Sequence, residues 1–479
     1  MDNNVFFEFG VSDSKPLLFS FGVLFNCMLD SAEKLERLSS TLKGKVVTDA
    51  DILRTFSKDM SPVKGDALAV VRPSSAEDVL ATVQWAVEHL VPLVGRGGGS
   101  SLEGESVPMN GAVVIDFSSM DRILELDEEN LSVMVEPGVV NRALNRFLFD
   151  KGLFFPPNPG SWEMSTIGGN AATNAAGPRS FKYGSMRNWV NGVEVVLGTA
   201  EKTWFGTRTR KSSSGLDMVR LLVGSEGTLG LFTKLLVRLA PIPAKRVGVI
   251  VPLEDVDTAT KAVVKLTHTP SLNISALEFV DKECLDALNK VQSASLPESG
   301  AALMVEVETE PEEADQKLSS FLSVLSDFKL AGEPLYEDNV DAMWDLRGRI
   351  TLSLEKLYGQ RYREDVAVPI TAFPELVRGV KQIFMDKQVN VVVFGHAGDG
   401  NLHLEFSYDQ LEKDKLNSLL AELFALTVGL NGTITGEHGI GLLKLPYLGL
   451  EHSGASLGAM RRIKKALDPY NILNPGKAY

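Results

Sequence analysis

The chain has 479 residues, 44% of them hydrophobic and 23% charged, which suits a globular protein of two or three domains and not a disordered one. A formal net charge of −14, with no basic stripe to offset it, argues against nucleic acid as a partner. Cys27 and Cys284 are the only cysteines, so no disulfide framework, iron–sulfur cluster or thiolate zinc site can form, and a reducing, cytoplasmic compartment is expected.

In chain order, the first feature is the apolar run KPLLFSFGVLFNCML. It falls short of the roughly 20 residues that span a bilayer, and Asp2, Glu8 and Asp13 ahead of it do not suit a secretory leader. Residues 1–28 are read as an extension, whose run forms an added buried element or a peripheral membrane anchor; Met28 is an alternative start.

From Ser74, the pattern SSAEDVLATVQWAVEHL places Val79, Leu80, Val83, Val87 and Leu90 on one helical face, with Ser75 and Asp78 as a capping pair. VPLVGR, GAVVIDF and LSVMVEPG read as strands. VNRALNRFLFDKG reads as a helix ending at Gly152, and VNGVEVVLG and TLGLFTKLLVRLAPIP add more strand. Residues 29–242 therefore form an α+β domain, and the prolines of APIPAKR mark its end. Beyond it, strands RVGVIVPL and AALMVEVETE alternate with helix-like LEDVDTATKAVVKL and EPEEADQKLSSFLSVLSDF. This implies a second α+β domain, 243–435, with a helix-covered antiparallel sheet. Residues 436–479 hold a helix stopped by Pro469 and an extended end that returns to the first domain.

Two connections are rich in glycine. In LVGRGGGSSLEGESVP, Gly95 and Gly97 fit G-x-G-x-x-G but Ser100 replaces the third glycine, and Gly104, Pro108 and Gly111 interrupt the helix a Rossmann loop must open. The stretch is instead a strand connection whose consecutive N–H groups can converge on an anion. PPNPGSWEMSTIGGNAATNAAGPRSFKYG strings small and amide residues together, as a long loop does when it lines something flat and close.

His396 and His403 flank AGDGNL, and His438 follows Glu437 in TGEHGIG. The spacing lets both imidazoles meet one ion, with Glu437 adding a carboxylate, a set suited to zinc, manganese or iron. It equally allows one histidine to cap a turn while the other faces solvent. His438, if it keeps an ordinary pKa near 6.5, suits a general base at neutral pH; a structural role beside the metal is the alternative. Asp399 and Asn401 are read as turn residues, and His89 and His268 as surface residues.

Taken together and in order, GRGGGSSLEG, PPNPGSWEMSTIGGNAATNAAG, LLVGSEGTLG, FGHAGDGNLH, GEHGIG and NILNPGK resemble the vanillyl-alcohol-oxidase (PCMH-type) superfamily of FAD-dependent oxidoreductases. The chain looks most like the branch containing D-lactate dehydrogenase, glycolate oxidase and D-2-hydroxyglutarate dehydrogenase. The resemblance runs from about residue 30 to residue 476. It implies a two-part FAD-binding domain and a cap domain. Arg96, Gly97, Gly98, Gly99, Ser100 and Ser101 would wrap the pyrophosphate. Pro159, Gly160, Ser161, Thr166, Gly169, Asn170, Thr173 and Asn174 would line the flavin and its ribityl chain, with Glu226 and Gly227 towards the adenosine and Asn474 from the last motif. Some relatives link flavin to a histidine in the first loop; Ser100 and the absence of histidine there imply non-covalent FAD.

The resemblance also implies that His396, His403 and Glu437 bind a divalent metal, zinc first and manganese or iron as alternatives. His438 would be the base in hydride transfer from a 2-hydroxy acid to flavin N5. Arg347, Thr351 and Arg363 would grip substrate carboxylate, the first pair four residues apart on one helical face. Two departures stand out: Arg363 falls where the hydroxyglutarate branch has lysine, and Glu405 where it tends to have an amide. Both favour a small monocarboxylate such as D-lactate over D-2-hydroxyglutarate. Without a second nucleotide motif or a cluster, the electron acceptor is expected to be external: a quinone, a cytochrome, an electron-transfer flavoprotein or an iron–sulfur subunit. A homodimer, a subunit of a glycolate-oxidase complex and an alkylglycerone-phosphate-synthase-like flavoenzyme are the other expectations.

Overall fold

The computed structural model describes residues 31–479 apart from 338, 409 and 410. The expectations for residues 1–28 lie outside it. Two sheets make up the first half. Strands β1 (Lys45–Val47), β2 (Ala67–Arg72), β3 (Leu93–Arg96) and β4 (Ala112–Asp116) lie in the order β1-β2-β4-β3. β4 runs parallel to β2 and β3, which are joined by the helix Ala76–His89. That helix starts where the sequence says it should: Ser75 Oγ accepts the Asp78 N–H at 3.2 Å. Its face of Val79, Val83 and Ala86 is fully buried.

The second sheet is antiparallel. It comprises β5 (Ile123–Asp127), β6 (Ser132–Val135), β8 (Val190–Leu197), β9 (Lys202–Gly206) and β10 (Gly230–Arg238), ordered β5-β6-β10-β8-β9. β7 (Leu153–Phe154) and β11 (Ala240–Pro241) pair beside it. The helix before β7 ends at Phe149 with Asp150 as its cap, two residues short of Gly152, which instead turns the chain at φ +65°. The long small-residue stretch is also not all loop. Thr166 Oγ1 accepts the Gly169 N–H at 3.2 Å and starts a short helix, Ile167–Thr173.

The second half is built on one seven-stranded sheet. Its strands are β12 (Lys245–Leu253), β13 (Ile274–Asp281), β14 (Ala301–Thr309), β15 (Leu335–Glu337), β16 (Arg361–Ala367), β17 (Val391–Gly395) and β18 (Asn401–Ser407), ordered β15-β12-β14-β13-β17-β18-β16. Every residue of β13 and β14 is buried. Helices Val256–Thr267, Phe373–Asp386 and Lys413–Gly429 cover one face, and Lys282–Gln292 and Ile350–Tyr358 the other.

On β18 the alternation of a strand decides which residues become functional. Leu402, Leu404 and Phe406 sit at 0% exposure in the core beneath the helices Val256–Thr267, Phe373–Asp386 and Lys413–Gly429, so His403 and Glu405 must face the opposite side. Burying each of the three is worth about 1.5–3 kcal/mol, and a one-residue slip would exchange them with His403 and Glu405. The register is thereby locked. The C-terminal tail then returns to the first half: Leu93 N–H donates to Ile472 O at 2.7 Å, and Asn474 N–H to Leu93 O at 2.8 Å, alongside β3.

Candidate active site

A cleft of about 1320 Å³ runs between the two halves. Arg96, Gly97, Gly98, Gly99, Ser100 and Ser101, at the end of β3 and just beyond it, line one end. Pro159, Gly160, Ser161, Thr166, Gly169, Asn170 and Thr173 line it further along, with Glu226 and Gly227. The glycines are there for space. A Cβ on Gly98 would lie 2.2 Å from the Met164 carbonyl oxygen, and Gly99 adopts φ +66° with the Arg96 guanidinium 2.1 Å from where its Cβ would be. Asn174 and Asn474 do not line the cleft. Asn174 is a left-handed helix cap whose Oδ1 accepts from Ser185 Oγ and the Arg187 N–H. Asn474 Nδ2 donates to the carbonyls of Glu105 and Glu226, pinning the tail. Glu226 itself accepts the N–H groups of Ile440 and Gly441 at 2.7 and 2.9 Å, so it braces the GEHGIG loop.

The other end of the cleft holds the histidines. FGHAGDGNLHLEF is a hairpin: β17 and β18 pair antiparallel with Phe394 opposite His403, and a turn at Ala397–Asp399 joins them. It brings His396 Nε2 within 3.4 Å of His403 Nε2, and both within 3.4 Å of Glu437 Oε1. Burial and neighbouring His396 hold the His403 pKa down at about 3, so its ring is neutral. Burial opposes ionisation of Glu437, but His396 overcomes it and draws the carboxyl down to about 2. For His396, burial lowers the pKa, yet Glu278 and Glu437 together push it up to about 10. Glu278 Oε1 lies 2.5 Å from His396 Nδ1 and fixes the ring.

His438 also lines the cleft, its ring stacked on that of His403 with centroids 5.4 Å apart. Its pKa is not the ordinary one expected of it. Burial lowers it, but Asp365, whose Oδ1 lies 3.3 Å from Nδ1, more than offsets this and raises it.

Asp365 is the residue that the sequence motifs do not reveal. Opposite His403 in the β16–β18 register, it accepts the N–H groups of Gly436 and Glu437, each at 2.6 Å, and of His438 at 3.3 Å. Fully buried Lys444 holds its other oxygen at 2.6 Å and lies 3.0 Å from Glu364. One buried carboxylate thus positions the whole loop that carries Glu437 and His438. The available signal was three consecutive charges, Arg363, Glu364 and Asp365, inside a strand, and a lone lysine in the apolar GLLKLPYL.

Arg347, Thr351 and Arg363 line the same end. Arg347 and Thr351 do not share one helix. The chain breaks at Arg349 between Val340–Gly348 and Ile350–Tyr358, so they come from the last turn of one helix and the first of the next. Arg347 Nε donates to Glu278 Oε2 at 2.7 Å and its guanidinium lies over the Phe394 ring, which aims it beside His396. Arg363 pairs with Glu355, and the Thr351 hydroxyl donates to Glu405. Among the described residues, His89 and His268 stay outside the cleft, and no helix is long and apolar enough to cross a membrane.

Comparison with known proteins places this geometry among relatives. Residues 67–206 match the FAD binding domain family, and residues 242–478 match the family of FAD linked oxidases, C-terminal domain. Glycolate oxidase subunit GlcD of Bacillus subtilis is 36% identical over 417 residues, 86% of this chain and 88% of that one. D-2-hydroxyglutarate dehydrogenase of Stutzerimonas stutzeri is 34% identical, covering 91% and 96%. D-lactate dehydrogenase of Anaerostipes hadrus is 32% identical, covering 93% and 97%. Among solved structures, p-cresol methylhydroxylase superposes with a TM-score of 0.76 at 17% identity, over 97% of this chain and 98% of that one. Alkyldihydroxyacetonephosphate synthase does so with 0.72 at 18%, over 94% and 85%. Both likenesses concern the fold.

Proposed function

The chain belongs to the FAD-linked oxidases, and on that premise we propose that it is a dehydrogenase of small D-2-hydroxy acids, of D-lactate type, yielding the 2-oxo acid. The observation that carries this reading is one cleft lined both by a glycine cradle and by two histidines with a glutamate. The cradle fits FAD in its chemistry: Gly97, Gly98 and Gly99 let the loop lie close against Thr166, Met164 and Arg96, Arg96 adds a cation to the cleft lining, and Ser100 offers no histidine for a covalent link. FAD supplies the hydride acceptor, at N5. The histidines and glutamate fit a divalent cation. His396, His403 and Glu437 present ligand atoms within 4.8 Å of one another, His403 is neutral, and Glu437 Oε2 is buried without a partner. Two imidazoles and a carboxylate suit zinc, with manganese or iron as alternatives, and such an ion acidifies a bound hydroxyl.

The chain's own groups then divide the work. Arg347 holds the substrate carboxylate by a charge-assisted pair, with its position set by Glu278. His438 takes the hydroxyl proton at Nε2, while Nδ1 faces Asp365, which favours the imidazolium that results. The Cα hydride carries two electrons away and the C–O bond becomes C=O. With only two cysteines in the chain, the electrons pass on to an external acceptor: a quinone, a cytochrome, an electron-transfer flavoprotein or an iron–sulfur subunit. That one relative is named as a subunit supports a partner subunit as the acceptor. Glu405 in the cleft disfavours a second substrate carboxylate and hence D-2-hydroxyglutarate. Anaerobic titration of the flavoprotein with a panel of D- and L-2-hydroxy acids tests the reading. D-lactate should bleach the flavin with a higher kcat/KM than D-2-hydroxyglutarate; bleaching by neither would overturn it.

A further inference from the structure

Glu405 is an unusual residue to find beside a proposed carboxylate-binding pole. It is 2% exposed, lines the cleft, and its Oε2 has no hydrogen-bond partner. Oε1 accepts only the Thr351 hydroxyl. The arginine opposite it in the β16–β18 register, Arg363, is committed to Glu355. Arg361 donates to the Glu405 backbone carbonyl and to Ser407 Oγ, not to the carboxylate. A buried acceptor without a partner is costly to the fold, on the order of 1–3 kcal/mol. It is therefore an acceptor available to a ligand.

Resting on the hydroxy-acid reading above, we infer that Glu405 is a specificity residue that selects 2-hydroxy monocarboxylates bearing a hydrogen-bond donor, hydroxyl or ammonium, at C4. Strand geometry sets the length of that tail. His403 and Glu405 are two residues apart on one face of β18, so their side chains rise roughly 7 Å apart, of which a hydrogen bond occupies about 2.8 Å. With the C2 hydroxyl held at the histidine pole by a second contact of similar length, only a short tail of one or two carbons ending in the donor fits between them. The C3 methyl of lactate leaves Oε2 unpartnered, and a C5 carboxylate places an anion against it.

The test uses the holoenzyme under anaerobic conditions. Flavin reduction is followed with D-lactate, D-2-hydroxybutyrate, D-2,4-dihydroxybutyrate, D-4-amino-2-hydroxybutyrate and D-2-hydroxyglutarate. Binding of the corresponding 2-oxo acids to the oxidised enzyme is measured in parallel from the perturbed flavin spectrum. At least one C4-donor substrate should exceed 2-hydroxybutyrate tenfold or more in kcat/KM, and its 2-oxo acid should bind at least tenfold tighter. The two donors distinguish a hydroxyl from an ammonium ligand. In Glu405→Leu the ratio should collapse to near one, and in Glu405→Gln, which keeps an acceptor, it should be partly restored. The wild-type ratios stand even if Glu405→Leu fails to fold. Reduction by 2-hydroxybutyrate as fast as by either donor substrate would overturn the inference and leave the hydroxy-acid reading intact. Reduction by none of the five would overturn both.

Discussion

Replacing Lys444 with methionine removes a charge while keeping an unbranched side chain of similar reach. In the native fold Nζ donates to the Asp365 carbonyl at 2.9 Å, to Asp365 Oδ1 at 2.6 Å and to the Ile434 carbonyl at 3.1 Å, and it lies 3.6 Å from Glu103 Oε1. Its ammonium, with His438, holds the Asp365 carboxyl far below its ordinary range against the burial that would raise it. Taking it away leaves Glu364 buried without its cation and Asp365 with His438 alone. Breaking a buried pair in this way costs about 3–5 kcal/mol. At about 2.1 cal/mol/K of unfolding entropy per residue, Tm falls about 3–5 °C if the whole chain melts as one. If the second half melts alone, the fall is about 6–10 °C. Because Asp365 orders Gly436, Glu437 and His438, divalent-metal affinity should fall with it. Differential scanning fluorimetry and metal analysis of the purified variant read both effects. A Tm unchanged within about one degree, with full metal content, would refute the claim that this pair builds the site.

His396→Ala, His403→Ala and Glu437→Gln should each abolish metal retention and most turnover while the oxidised-flavin spectrum persists, since none of these groups belongs to the glycine cradle; elemental analysis and absorbance check this. Arg347→Ala should raise KM for D-lactate roughly ten- to a hundredfold, the equivalent of one charge-assisted pair at about 1.5–3 kcal/mol, and steady-state kinetics would dismiss the residue if KM held. Glu306 is buried, which raises its pKa, but Arg179 from the first half and Arg246 more than reverse this and lower it below 4.5. A depressed folded pKa gives stability that is complete above 4.5 and is lost as pH falls towards the lower value. Thermal stability of the wild type should therefore fall more steeply below pH 4.5 than that of Glu306→Gln, and parallel acid profiles would contradict this.

Much of the architecture was legible in the chain because local rules agree with the fold. Ser75 and Asp78 announce the helix Ala76–His89, and VPLVGR and GAVVIDF, read as strands, contain β3 and β4. What stayed hidden depends on distant partners. β13 carries Glu278 and Asp281 in a strand buried on both faces, which breaks the apolar run that would advertise it. Glu278 lies 118 residues from His396, and Asp365 lies 79 from Lys444, so neither positioning contact leaves a local spacing to read. The helix break at Arg349 is marked only by Gly348, which ends the first helix, and the four-residue spacing of Arg347 and Thr351 reads as one face unless that glycine is taken as a stop. His438 could be placed beside Glu437 by sequence, but the acid that raises its basicity comes from another strand.

On this mechanism, flavin reduction by a 2-hydroxy acid depends on an ion held by His396, His403 and Glu437. One measurement addresses it most directly: the anaerobic rate of flavin bleaching by D-lactate, before and after removal of divalent metal by a chelator and after its return as zinc or manganese. Bleaching should be rapid, should be lost almost entirely on chelation with the flavin still bound, and should recover on adding the ion. Bleaching that proceeds unchanged in chelated enzyme, shown by elemental analysis to be metal-free, would contradict it.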